Sequence, residues 1–247
     1  MRLSSYIDST YLKTSHQAGI SEDETRILVT KVIKEAIEYR FKLVMIRAEF
    51  IPLAKQRIQE ANSQVRIGTV IGFHKGVSSV TEKLKEIEAA IDLGADEVDV
   101  VINFEAFKRG EIALVGEEII SCTRMALNKL KVIKWIIETA ALTTEEIAKI
   151  SSLIKDLVLA NFSKTAAHKV FVKSSTGFYE TPNGEPNGAT FESIKSMITN
   201  ARPLKIKAAG GVKSKEDLLK MITLGVDRIG TSSAKKIFNE TQTNLNY

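Results

Sequence analysis

A single cysteine, Cys122, occurs in 247 residues, so no internal disulfide can brace the fold. Its setting, EEIISCTRMAL, has helical character, and the residue reads as buried packing rather than as a nucleophile. Histidine is scarce as well. His16, His74 and His168 are scattered without ligand spacing, which argues against a zinc centre; no metal and no other cofactor is expected. No stretch approaches the ~18 unbroken apolar residues of a bilayer span, and the opening MRLSSYIDST lacks the apolar core of a secretory signal. No membrane association and a cytoplasmic location are therefore expected. No Gly-x-Gly-x-x-Gly turn follows the first apolar runs, which weakens a dinucleotide-binding reading.

Nor is there a large excess of one charge. Lys and Arg total 35 against 30 Asp and Glu, a net charge of +5. A basic nucleic-acid-binding protein is one reading of that balance, but the basic residues alternate with acids in EKLKEIE and KSKEDLLK and have few aromatic neighbours. They read as solvated helix faces, without a recognisable reader motif, and no nucleic-acid partner is expected. Hydrophobic residues at 44% and charged residues at 26% are the proportions of a globular protein with a sizeable core.

What is present is a repeated alternation. Short apolar, β-branched runs recur as SYIDST near the start, KLVMIR (42–47), RIGTVIG (66–72), EVDVVIN (97–103), VIKWIIE (132–138), KVFVK (169–173), LKIKAAG (204–210) and DRIGTS (227–232). They are continuous rather than alternating, as in parallel strands covered on both faces. Between them, capping-box spacings open helices at Ser21 to Glu24, Ser79 to Glu82, Thr143 to Glu146 and Ser214 to Asp217. Val80, Leu84, Ile87 and Ile91 share one helical face, with Gly94 placed to stop the helix; Gly225 stands likewise after Leu218 and Ile222. Eight strand–helix units in a chain of this length predict an α/β fold, a single (β/α)8 TIM barrel forming one domain over 1–247. The turn-rich stretch YETPNGEPNGA (179–189) reads as a long loop over the binding face, and the polar 239–247 as a mobile tail.

Charges inside apolar strands mark the chemistry, because burying an uncompensated charge costs several kcal/mol. Asp99 interrupts EVDVVIN, Lys173 ends KVFVK and Lys207 sits in LKIKAAG. Asp99 and Lys173 lie near the carboxyl ends of their strands, where barrels build active sites. The plainer alternative is a set of satisfied ion pairs plugging one end of the barrel. A lysine is nucleophilic only as the neutral amine, and a second ammonium close by can depress its pKa toward about 7–8. Lys207 is the candidate for that role, with Lys173 as the Schiff-base nucleophile and Asp99 and Lys207 shuttling protons through a water. Anion binding is expected where glycines end the last strands: Gly177 in the SerThrGly after Lys173, Gly210 and Gly211 after Lys207, and Gly230 with Ser232 and Ser233 opening the last helix, with Lys213 adding a point charge.

YIDSTYLK (6–13), GADEVDVVIN (94–103), VIKWIIET (132–139), FVKSSTGF (171–178), KAAGGVKS (207–214) and RIGTSSA (228–234) together resemble the deoxyribose-phosphate aldolases. These class I aldolases reversibly cleave 2-deoxyribose 5-phosphate into acetaldehyde and glyceraldehyde 3-phosphate. The resemblance implies a Schiff base on Lys173, a proton relay of Asp99 and Lys207, a phosphate site around Gly177, Gly210, Gly211, Lys213, Gly230, Ser232 and Ser233, and a small sugar-phosphate substrate. A homodimer or homotetramer is within its range. The chain departs from the family pattern with Ser9 for histidine, His74 for proline, Ala140 for glycine, and a segment 155–169 without the usual Gly-Ala-Asp turn. Another phosphate-binding barrel enzyme is the alternative within the same fold. Glu138 is expected either to orient a lysine by charge pairing or to sit in a structural ion pair, and Tyr247 to reach over the mouth from the tail.

Overall fold

The β-branched runs form eight short strands because each is shielded on both faces: by barrel side chains within and by helices without. They are β1 (Ile7–Thr10), β2 (Leu43–Met45), β3 (Arg66–Ile71), β4 (Glu97–Val101), β5 (Val132–Ile136), β6 (Val170–Lys173), β7 (Lys205–Ala209) and β8 (Arg228–Thr231). In the computed structural model, which describes residues 2–185 and 187–243, all eight pair in parallel and in sequence order, and β8 closes onto β1. The expected TIM barrel is the fold.

Eight principal helices ring the barrel: α1 (Glu22–Glu38), α2 (Ile51–Glu60), α3 (Val80–Leu93), α4 (Ile112–Asn128), α5 (Thr144–Asn161), α6 (Phe191–Ala201), α7 (Lys215–Leu224) and α8 (Ala234–Thr243). The four anticipated capping boxes are formed, each hydroxyl accepting from the backbone N–H three residues on. Thr14 and Thr190 add two more, the latter at the start of α6. Gly94 and Gly225 end α3 and α7 at φ 116° and 103°, a region in which a side chain would be strained. The core lies between strands and helices. Trp135 is its largest fully buried side chain, its indole N–H donating to Thr123 Oγ1 at 3.1 Å. Cys122 is buried beside them and burial pushes its thiol up to about 12, as suits packing rather than reactivity. No helix among the described residues is long and apolar enough to cross a membrane.

The described part of the polar 239–247 departs from expectation. Residues 239–243 continue α8, since nothing in NETQT breaks a helix already begun at Ala234; Tyr247 lies outside the described residues. The segment 155–169 comprises the second half of α5 and a short helix, Lys164–Ala167, capped by Ser163.

Candidate active site

Register decides which charges meet inside the barrel. Lys173 and Lys207 are direct partners on β6 and β7, Asp99 and Lys134 on β4 and β5, and Lys207 and Arg228 on β7 and β8, so each pair projects to the same side of the sheet. The result is a closed circuit of alternating charge. Asp99 contacts Lys207 through Oδ2 at 2.8 Å, Lys207 contacts Asp8 at 2.6 Å, and Asp8 contacts Arg228 at 2.6 Å. Arg228 contacts Glu97 at 3.1 Å, Glu97 contacts Lys134 at 2.6 Å, and Lys134 returns to Asp99 Oδ1 at 2.8 Å. Three carboxylates thus balance three cations. Lys173 is the seventh charge, donating to Asp99 Oδ2 at 2.8 Å.

That arithmetic sets the protonation states. Burial opposes ionisation of Asp99, but Lys134, Lys173 and Lys207 outweigh it and hold its carboxyl well below the usual range. Glu97 is likewise brought to about 2 against its burial by Lys134 and Arg228. Burial alone would neutralise Lys134, yet Asp99 and Glu97 raise it above its ordinary value. Lys173 goes the other way. It is 3% exposed and has a single carboxylate, already shared, so burial lowers it from 10.5 to about 8; Asp99 opposes that fall and Lys207 adds to it. The crowding expected from Lys207 is therefore the lesser cause, because Lys207 is itself neutralised by Asp8 and Asp99.

Lys173 opens into a cavity of about 640 Å³ at the carboxyl ends of the strands, within the roughly 300–1,000 Å³ of small-molecule sites. Gly177, Gly210, Gly211, Lys213, Gly230 and Ser232 line it with Lys173; Asp99 and Lys207 lie behind, out of contact with it. Gly177, Gly210 and Gly211 have φ of 79°, 77° and 80°, which leaves their amides facing directions a side chain would not permit. Among the described residues the N–H groups of Gly177, Gly210, Gly211 and Ser232 have no partner within the chain, and all four residues line the one cavity. Gly230 has a second use. A Cβ there would meet Lys207 Cε at 3.1 Å, so glycine makes room for the lysine.

Ser233 falls outside the group: its N–H donates to Thr231 Oγ1 at 3.0 Å and its side chain lines a neighbouring groove on α8. The long loop reaches the site through Asn187, its one described residue on the cavity wall. Ala189 N–H donates to Ala209 and Gly210 carbonyls, and Asn187, on the cavity wall, donates to the carbonyls of Gly177 and Tyr179. Glu138 neither pairs with a lysine nor joins any ion pair among the described residues; its carboxylate accepts from Thr176 instead.

Sequence reasoning missed Asp8, Glu97, Lys134 and Arg228. Lys134 carried the same signal as the others, a charge within VIKWI. The opposite wall is apolar: Leu12 and Phe178 line the cavity, Leu12 packs with Leu43, Met45 and Val70, and Phe178 contacts Phe73 at 5.0 Å and His74 at 5.8 Å. His74, one of the departures from the family pattern, thus buttresses a cavity residue by stacking. Ser9 is buried in β1, and Ala140 lies in a 3-10 turn, Thr139–Ala141.

A family model described as DeoC/LacD family aldolase matches residues 10–240. The chain belongs to the DeoC/LacD aldolase family. Deoxyribose-phosphate aldolase 1 of Staphylococcus aureus (strain MSSA476) is 37% identical over 248 residues, covering 100% of both chains. The deoxyribose-phosphate aldolase of Thermococcus kodakarensis is 37% identical over 233 residues, 94% of this chain and 93% of its own. Among solved structures, the tetrameric deoxyribose phosphate aldolase of Aeropyrum pernix superposes with a TM-score of 0.77 at 26% identity, covering 98% of this chain and 92% of that one. In this DeoC/LacD aldolase, the cavity opens at the carboxyl ends of the strands, with Lys173 between it and the charge circuit.

Proposed function

We propose that the enzyme reversibly cleaves 2-deoxyribose 5-phosphate into acetaldehyde and glyceraldehyde 3-phosphate, with Lys173 as the Schiff-base nucleophile. One observation supports this most: Lys173 is the odd cation beside a charge-balanced circuit, and the only member of it that opens into the cavity. Its amine loses a proton at lower cost than any ordinary lysine and faces the substrate.

The neutral amine attacks the aldehyde carbon of the open-chain sugar, and protonation followed by loss of water leaves an iminium. Removal of the proton from the carbon-3 hydroxyl breaks the bond between carbons 2 and 3. The bonding pair moves to the iminium, giving an enamine, and glyceraldehyde 3-phosphate departs. Protonation of the enamine carbon and addition of water release acetaldehyde and the free amine. Asp99, which accepts from both Lys173 and Lys207 at 2.8 Å, and Lys207 behind it are suited to relay these protons through a water. The amides of Gly177, Gly210, Gly211 and Ser232, with the side chain of Lys213, would hold the phosphate; Gly230 shapes the floor by admitting Lys207. Ser233 would contribute only by ordering the turn.

Borohydride reduction in the presence of acetaldehyde, followed by peptide mapping, tests the assignment: an ethyl group on Lys173 is expected. Protection of every lysine, or an adduct elsewhere, would favour a different phosphate-binding barrel enzyme. A coupled assay of deoxyribose 5-phosphate cleavage, unaffected by a chelator, completes the test. Assembly into two or four copies is inferred from the family alone, and light scattering of the purified chain measures it.

A further inference from the structure

Five carboxylates are buried among the described residues, and four are ion-paired: Asp8, Glu97 and Asp99 in the circuit, and Glu118 with Lys83. Glu138 is the fifth. It is 0% exposed, it has no cation within ion-pair reach among the described residues, and its Oε1 has no partner. Its backbone is left-handed as well, with φ 55° and ψ 70°, a conformation that non-glycine residues seldom adopt. Two unfavourable features on one residue persist only where the surroundings enforce them, and such residues gather at functional sites.

What they secure is a turn. Glu138 Oε2 accepts from both the backbone N–H of Thr176, at 3.1 Å, and its hydroxyl. The same hydroxyl accepts from the N–H of Phe178 at 3.0 Å. With those two amides engaged inward, the N–H of Gly177 is left between them without an intramolecular partner, on the cavity wall.

We propose that Glu138 is a positioning residue for phosphate recognition: by holding Thr176 it turns the Gly177 amide into the cavity as an anion donor. This rests on the phosphate site inferred above. The role is one of hydrogen-bond geometry, not of charge on Lys173. Glu138 lies at the end of β5 and reaches the phosphate only through the loop after β6.

Glu138→Gln separates geometry from charge, because its amide oxygen can accept both Thr176 bonds while its nitrogen takes the unpartnered position. The readout is the ratio of kcat/KM for deoxyribose 5-phosphate to that for unphosphorylated deoxyribose, together with calorimetric binding of inorganic phosphate. Glu138→Ala is expected to lower that ratio about tenfold or more, chiefly through KM, and to weaken phosphate binding in parallel. Glu138→Gln should retain most of the ratio. An unchanged ratio in Glu138→Ala, or an equal loss in Glu138→Gln, would overturn the proposal. If Glu138→Ala does not fold by circular dichroism, Thr176→Val removes the same link and should lower the ratio in the same direction; no change there also refutes it. Wild-type protein that cleaves neither sugar but still binds phosphate in a Glu138-dependent way would condemn the proposed reaction and leave this role standing.

Discussion

Strands β4 to β8 and β1 each place a buried charged side chain inside the barrel, whereas β2 and β3 place Leu43, Met45 and Val70 at the registered positions, and their one charge is the half-exposed Arg66 at the start of β3, 3.3 Å from Glu97. Val70 pairs with Asp99 and Leu43 with Asp8, so the two sectors are adjacent on one inner surface and differ only in residue type. The buried charges are matched to within one and held by contacts of 2.6–3.1 Å. The apolar sector offers nothing to solvate an ammonium. Lys173 lies on β6, well inside the charged sector, and shares its cavity with the apolar Leu12 and Phe178. A lysine in the apolar sector alone would be too poor in partners to fold around, and one inside the circuit would stay protonated, as Lys134 does. Reactivity comes from being the buried charge the circuit leaves over, open to the cavity.

The comparison can be broken from either side. The largest effect is expected from Lys173→Met, which should lower turnover by a factor on the order of 10³ or more in the coupled assay while leaving the circular dichroism spectrum intact. Asp99→Asn removes the one carboxylate shared by three lysines; stability should drop by about 3–5 kcal/mol in urea denaturation, and activity with it. Lys173→Met should act oppositely on stability. Because folding lowers this lysine from 10.5 to about 8, the unfolded chain binds a proton between those values that the folded chain does not, so its contribution to stability rises with pH across that window. Below pH 8 the full cost is present, and removing the amine there should stabilise the fold by up to about 3 kcal/mol, a gain that fades toward pH 10.5.

The apolar sector should be tolerant by comparison. Met45→Leu conserves volume and carries no charge, so a loss of less than about 1.5 kcal/mol is expected by thermal unfolding. Smallest of all is Lys213→Ala. The side chain is exposed, and its loss should raise KM for the phosphorylated sugar about two- to fivefold with little change in kcat.

Much of this was legible before any coordinates. The barrel followed from eight β-branched runs and from capping boxes whose hydroxyl and carboxylate spacing is purely local. Lys173, Lys207 and Asp99 stood out because each interrupts an apolar strand. The remaining circuit was hidden for specific reasons. Asp8 in IDST resembles a turn residue, and Glu97 and Arg228 begin their strands, where charges are commonplace; only closure of β8 onto β1 brings Arg228 within reach of Asp8, 220 residues away in sequence. Lys134 was visible and passed over. That Thr231 takes the Ser233 N–H within the turn, and that Glu138 finds its partner on the loop after the next strand, are contacts residue types alone do not encode.

The most direct test of the account is the pH dependence of adduct formation on Lys173, followed by mass spectrometry of the reduced acetaldehyde adduct at subsaturating aldehyde. A midpoint near 8 is predicted, with Lys134 unmodified at every pH. A midpoint near 10.5, that of an ordinary lysine, would contradict the claim that an unbalanced charge at the edge of the circuit prepares this amine for reaction.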